Sequence, residues 1–190
     1  YRDRAEITRR LIREVGFTAV AVEADWPDAY RANCYAQGTS SAKDADQALG
    51  GFKRFPTWMW RNTVVRDFLD GLRTNNESLA ESEQRVGFYG LDLYSLHASI
   101  EAVLGYLDRV DPEAAQRARS RYGCFQDFGE DTQAYGYAAS FGMSPSCEKE
   151  VLAQLVDLRR SAERYAHLDG RVAADDFFFA EQNARLVANA

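Results

Sequence analysis

Apolar positions along this chain follow two different periods. Between residues 17 and 22 lie Phe17, Ala19, Val20, Ala21 and Val22, opened by Gly16 and ended by Glu23 and Asp25. A short, nearly unbroken apolar run of this kind predicts a strand buried on both faces of a parallel sheet. Ahead of it, Ala5, Thr8, Leu11, Ile12 and Val15 recur at spacings of three and four. That spacing predicts a helix over residues 2–15 with this stripe buried, and Gly16 is its expected C-terminal stop. Pro27 suits the first turn of the helix that follows. A second apolar run over residues 85–92 again ends in a carboxylate, Asp92, with Ser95 placed to cap a helix running to residue 110. Helices over 27–37, 44–49 and 56–73 and a polar, solvated loop over 74–84 separate the two strands. That is the crossover a parallel pair requires.

Beyond residue 110 the helical period takes over. Asp111-Pro112 opens a helix to about residue 122, and residues 124–131 read as irregular. Asp131 caps a helix over 132–141. A long helix restarted at Ser144-Pro145, with its stripe at Val151, Leu152, Leu155, Val156, Leu158, Ala162 and Tyr165, is broken only at Asp169-Gly170. A final helix runs from 173 to the end. The predicted class is α/β: helix-rich, a partial parallel sheet with helices packed around it. Residues 1–190 read as a single partial domain, with an α/β part over about 1–110 and a helical part over about 111–190. Two strands do not close an ordinary α/β sheet, so further strands are expected from a longer protein of which this chain, opening on Tyr1, is a segment.

Composition narrows the partners. A net charge of −6 and an aromatic share of 13% describe a folded chain that does not favour nucleic acid or an anionic membrane surface. No apolar run reaches the ~20 residues that span a bilayer. Cys34, Cys124 and Cys147 are odd in number and widely spaced. They suggest neither a zinc site nor a disulfide framework, and hence a reducing cytoplasm.

Candidate chemistry gathers at the carboxyl ends of the strands, where open α/β sheets bind ligands. The helix from Arg4 to Gly16 measures about 18 Å at ~1.5 Å per residue. The strand from Phe17 to Glu23 measures about 20 Å at ~3.3 Å per residue. The chain doubles back at Gly16, so Arg4 and Glu23 are expected at the same end of the sheet. There a guanidinium beside a glutamate serves to orient a base or a water, or to hold a developing oxyanion. The bland alternative is an ion pair tying the first helix to the rim, with Asp25 merely capping a helix. Asp25, Trp26, Asp92 and His97 are candidates for substrate contact. His97 stands in the first turn of its helix, where a buried, hydrogen-bonded role is the favoured reading and a substrate contact the alternative. His167 fits a helix C-terminus. No nucleophile elbow, Walker loop or dinucleotide fingerprint is present, and no metal or cofactor is expected.

The segments Glu23-Ala24-Asp25-Trp26-Pro27-Asp28-Ala29-Tyr30, Gly50-Gly51-Phe52, Phe55-Pro56-Thr57-Trp58-Met59-Trp60-Arg61-Asn62 and Gly87-Phe88-Tyr89-Gly90-Leu91-Asp92-Leu93-Tyr94-Ser95 carry a family likeness. It continues through Tyr135-Gly136-Tyr137 and Glu181-Gln182-Asn183-Ala184. In them the chain resembles the erythromycin esterase family. The resemblance implies an α/β hydrolase of carboxylic esters acting through an activated water, with macrolactones among the substrates of some members and macrolide resistance as a consequence. It carries over Arg4 as an active-site arginine and Glu23 as the strand-end glutamate. The family's general base belongs to a Gly-Glu-x-x-His motif just before the segment matching Tyr1-Arg2-Asp3-Arg4, and a further histidine motif follows the position of Ala190. The chain alone is therefore expected to be inactive, and the intact protein to act on a small-molecule ester. Two other readings are a non-catalytic ligand-binding relative, as in the related haem-binding lipoproteins, and a helical interaction module.

Overall fold

The computed structural model describes residues 1–190 except 55, 81–82, 93–94, 129–145, 170 and 190. At 126–128, 166–169 and 171–175 only the backbone is described. The chain divides into two compact units, Tyr1–Asp92 and Leu93–Ala190. The helix expected over 132–141 lies outside the described residues.

The first unit is helix-rich around a two-stranded parallel sheet, as expected. Helix α1 (Arg2–Arg10) continues as a π-helical turn, Leu11–Val15, and ends at Gly16 in the left-handed region with φ 82°. Strand β1 (Ala19–Asp25) leads directly into α2 (Trp26–Ala36). The short α3 (Ala45–Ala48) is capped by Asp44, whose carboxylate accepts from Gln47 N at 2.8 Å. A 3-10 turn (Thr57–Met59) precedes α4 (Thr63–Glu77), which is capped by Asn62, and β2 (Gly87–Asp92) closes the unit.

Three expectations need correction here. Strand β1 is not buried on both faces: Val20, Val22 and Ala24 turn toward the core, while Ala19, Ala21 and Glu23 are exposed. The stripe of α1 splits as well. Ala5, Thr8 and Ile12 are half-buried, but Leu11 (40% exposed) and Val15 (64%) join Ile7 (58%) in an outward row at four-residue spacing. Helix α1 docks on α4 along one narrow line, where Arg9 Nη2 donates to Asp67 O at 3.0 Å and its guanidinium lies over the Phe68 ring. That line is too narrow to cover both rows. Finally, the polar segment after residue 73 is not simply a solvated loop. Helix α4 continues to Glu77, and Asn76 is buried with every amide atom used. Its Nδ2 donates to Ala36 O and Val86 O, and its Oδ1 accepts from Val86 N. One side chain thus joins α4, the end of α2 and the lead-in to β2.

Among the described residues the second unit forms helices and no strand. They are α5 (Leu96–Val110), α6 (Pro112–Tyr122), a 3-10 segment (Gly123–Phe128), α7 (Glu148–Arg160), α8 (Ala162–Asp169) and α9 (Arg171–Asn189). Their buried faces form one core around Val103, Tyr106, Leu107, Ala118, Leu158 and Ala184. The long helix expected from 144 is broken at Ser161, between α7 and α8, and Leu152 and Val156 are exposed rather than buried. The cysteine expectation is also overturned. Cys124 and Cys147 form a disulfide across 23 positions, and Cys34 takes no part in a disulfide. The expectation of a reducing compartment loses that support. Among the described residues no helix is long and apolar enough to cross a membrane.

Candidate functional site

Helix α1 and strand β1, reversing at Gly16, enclose a cavity of about 380 Å³ together with the start of α4. Tyr1, Arg4, Ala5 and Thr8 face it from the helix, at the spacing of one helical face. Residues 20–23 line it from the strand, and Met59, Trp60, Val64 and Phe68 supply an apolar wall. Arg4 and Glu23 therefore border the same space, as the matched lengths of helix and strand required. No hydrogen bond or ion pair joins them, and both side chains are exposed. The simple tie between helix and rim is thus not formed. Each charge stands at the edge of an apolar cavity without being neutralised by the other.

Glu23 owes its setting to an irregularity in the sheet. The register runs Val22↔Gly90 and then Asp25↔Asp92, so β1 spends one more residue than β2 over this step. Such a bulge bends its strand and re-aims the side chains on it. Gly90 makes room for the bend: a Cβ there would lie 2.5 Å from Ala24 O and 2.9 Å from Asp25 O, both backbone atoms. Only glycine lets the turn from β1 into α2 pass this close over β2.

The other strand-end residues form a separate cluster. Arg54, from the loop before α4, reaches Asp92 Oδ2 at 2.8 Å and Asp25 Oδ2 at 3.4 Å, clamping the two strand ends. Asp25 Oδ1 is buried and has no hydrogen-bond partner, and no side-chain bond from Asp25 caps α2. Burial pushes the Asp25 carboxyl above its usual range, Arg54 opposes the shift, and Asp92 adds to it. Burial likewise raises Asp28, whose carboxylate pairs with Arg31 at 3.3 Å. Trp26 stacks on Tyr89 with ring centroids 6.0 Å apart. His97 belongs to the second unit, half-buried near the start of α5, where it lines a cavity of about 270 Å³ with Ile100, Leu104 and Tyr122. Arg54 was not foreseen: it stands in a loop with no periodicity to mark it. Among the described residues no group of three or more His, Cys, Asp or Glu is placed to hold a metal.

The sequence model of the erythromycin esterase family matches residues 12–190. The chain belongs to the erythromycin esterase family. Two solved structures share its fold. One, described as a succinoglycan biosynthesis protein, superposes with a TM-score of 0.63 at 18% identity; the other, a protein from Bacillus cereus, gives 0.56 at 17%. Each alignment covers 97% of this chain and 41% of the other, so this erythromycin esterase family chain spans about two-fifths of the length of those two proteins. At these identities the likeness concerns the fold.

Proposed function

We propose that the cavity between α1 and β1 is part of a carboxylic ester hydrolase site, with macrolactones among the candidate substrates. The supporting observation is that Arg4 and Glu23, nineteen positions apart, border one apolar-walled cavity with neither charge spent on the other. In this reading a base removes a proton from water and the water oxygen attacks the ester carbonyl carbon. Negative charge collects on the carbonyl oxygen and is met by the Arg4 guanidinium. The C–O bond then breaks, and the alcohol leaves with the proton held by the base. Glu23 orients that base and balances the charge it gains. Among the described residues no histidine lines the cavity. The family resemblance assigns the base to a motif preceding residue 1, so the activity proposed is that of the intact protein.

The test is hydrolysis of p-nitrophenyl esters and of a macrolide by the intact protein. Glu23→Gln is expected to lower kcat by roughly 100-fold or more, and Arg4→Ala by a factor on the order of 100. Neither should shift the unfolding midpoint, since both side chains are exposed. Turnover unchanged in both variants would sink the assignment. Saturable binding of the ester without hydrolysis would instead favour a non-catalytic ligand site, which the apolar wall also suits.

A further inference from the structure

We propose that the second unit carries an anion site, a cavity between α6 and α7 that binds a phosphate group. The cavity measures about 240 Å³ and has its floor at Leu107, Ala114 and Leu158. Its walls are rich in donors. Arg117 and Arg121, one turn apart on α6, face Arg160 and Ser161 at the end of α7.

Among the described residues neither Arg117 nor Arg160 has a hydrogen bond or counter-ion, whereas Arg121 is fixed in place. Its Nη2 lies 2.7 Å from Asp157 Oδ2, and its Nη1 donates to Gln154 Oε1 at 2.9 Å. Asp157, among the described residues the one carboxylate lining the cavity, is thereby engaged. Gln154 is only 2% exposed. A guanidinium only donates, so the Gln154 atom facing Arg121 is its carbonyl oxygen, and the amide nitrogen is left as a donor. The Tyr165 hydroxyl, also on the wall, is already spent: it donates to Asp111 Oδ2 and accepts from Arg164.

Three guanidiniums, a buried amide and a hydroxyl therefore line one space in a chain whose net charge is −6. Asp157 balances one of these charges; holding the other two together without a counter-ion costs stability, and a bound anion relieves that cost. A carboxylate is satisfied by a single bidentate arginine, whereas a phosphate offers more acceptor oxygens and up to two charges. The donor set matches the phosphate. The cavity also leaves space beyond the phosphate group itself, so both the free ion and a small phosphate monoester fit the chemistry.

The experiment is calorimetric titration of the intact protein with inorganic phosphate, alongside thermal unfolding in phosphate and in chloride at matched ionic strength. Saturable binding at one site and an unfolding midpoint raised in phosphate over chloride are expected. Arg117→Ala and Arg160→Ala should each weaken binding tenfold or more and abolish the phosphate-specific shift. Both residues are exposed, so the variants should fold, and without phosphate their midpoints should equal or exceed that of the parent. Arg185→Ala, which alters an exposed arginine on α9, should bind like the parent. Tighter binding of glycerol phosphate than of phosphate would assign the site to an organic phosphate, and the reverse to the free ion. The proposal fails if chloride matches phosphate, if acetate binds as tightly, or if phosphate binding survives both substitutions. Ester hydrolysis is not read in this experiment, so its outcome leaves the proposed activity untouched.

Discussion

Asp25 and Asp111 each occupy the N-cap of a helix with a proline in its first turn, Pro27 in α2 and Pro112 in α6. In the second unit the motif does what it does in most proteins. Asp111 Oδ1 accepts from Ala114 N at 3.0 Å, while Oδ2 accepts from Tyr165 and pairs with Arg164. Burial works against this charge, but the bonds from Ala114, Tyr165 and Arg164 outweigh it and hold the carboxyl below its usual range. In the first unit the side chain turns away from the helix. One oxygen of Asp25 goes to Arg54, the other is buried without a partner, and burial raises its pKa. A carboxylate with unused bonding capacity at a strand end is the kind of group found beside ligand sites, whereas a fully satisfied one maintains the fold. The two aspartates show that a capping motif read from sequence does not reveal which role its acid plays.

The largest expected effect comes from closing the space under the Asp25 turn. Gly90→Ala should cost about 1–3 kcal/mol, because the new methyl meets carbonyl oxygens that cannot rotate away. A urea midpoint unchanged by this substitution would mean that the bulge does not depend on Gly90. Next, Asp111→Ala should lose about 1–2 kcal/mol as a lost cap, whereas Asp25→Ala should stay within about 0.5 kcal/mol. Equal losses in denaturant titrations would erase the contrast between the two acids. The smallest effect is a difference of sign with pH. Asp111, its pKa depressed, contributes stability that is fully present above 3.8 and lost as pH falls through its folded pKa. Asp25, its pKa raised, imposes a penalty above its folded pKa that is relieved as pH falls toward 3.8. The advantage of the parent over Asp111→Asn should therefore shrink in acid. Any gain of Asp25→Asn over the parent should be greatest at neutral pH and fade in acid. Unfolding midpoints measured between about pH 3 and 7 check both signs.

Much of the first unit could be read along the chain, because its information is local. The period of α1, the stop at Gly16 and the apolar run of β1 are enough to bring Arg4 and Glu23 to one cavity. The parallel pairing followed from the helices between the strands. Features that depend on neighbours distant in sequence were not legible. The face that β1 buries depends on which helices cover it, and the inward turn of Asn76 depends on backbone groups at Ala36 and Val86. Arg54 acquires meaning only once Asp25 and Asp92 lie side by side. The arginine-lined cavity of the second unit likewise exists only because α6 packs beside α7. The break at Ser161 went unseen because the apolar period continues through it to Tyr165.

The bond between Cys124 and Cys147 makes a covalent ring of the stretch between them. A protease cutting once anywhere inside that ring would yield two polypeptides that still migrate as one on a non-reducing gel. They would separate only when a thiol reagent is added.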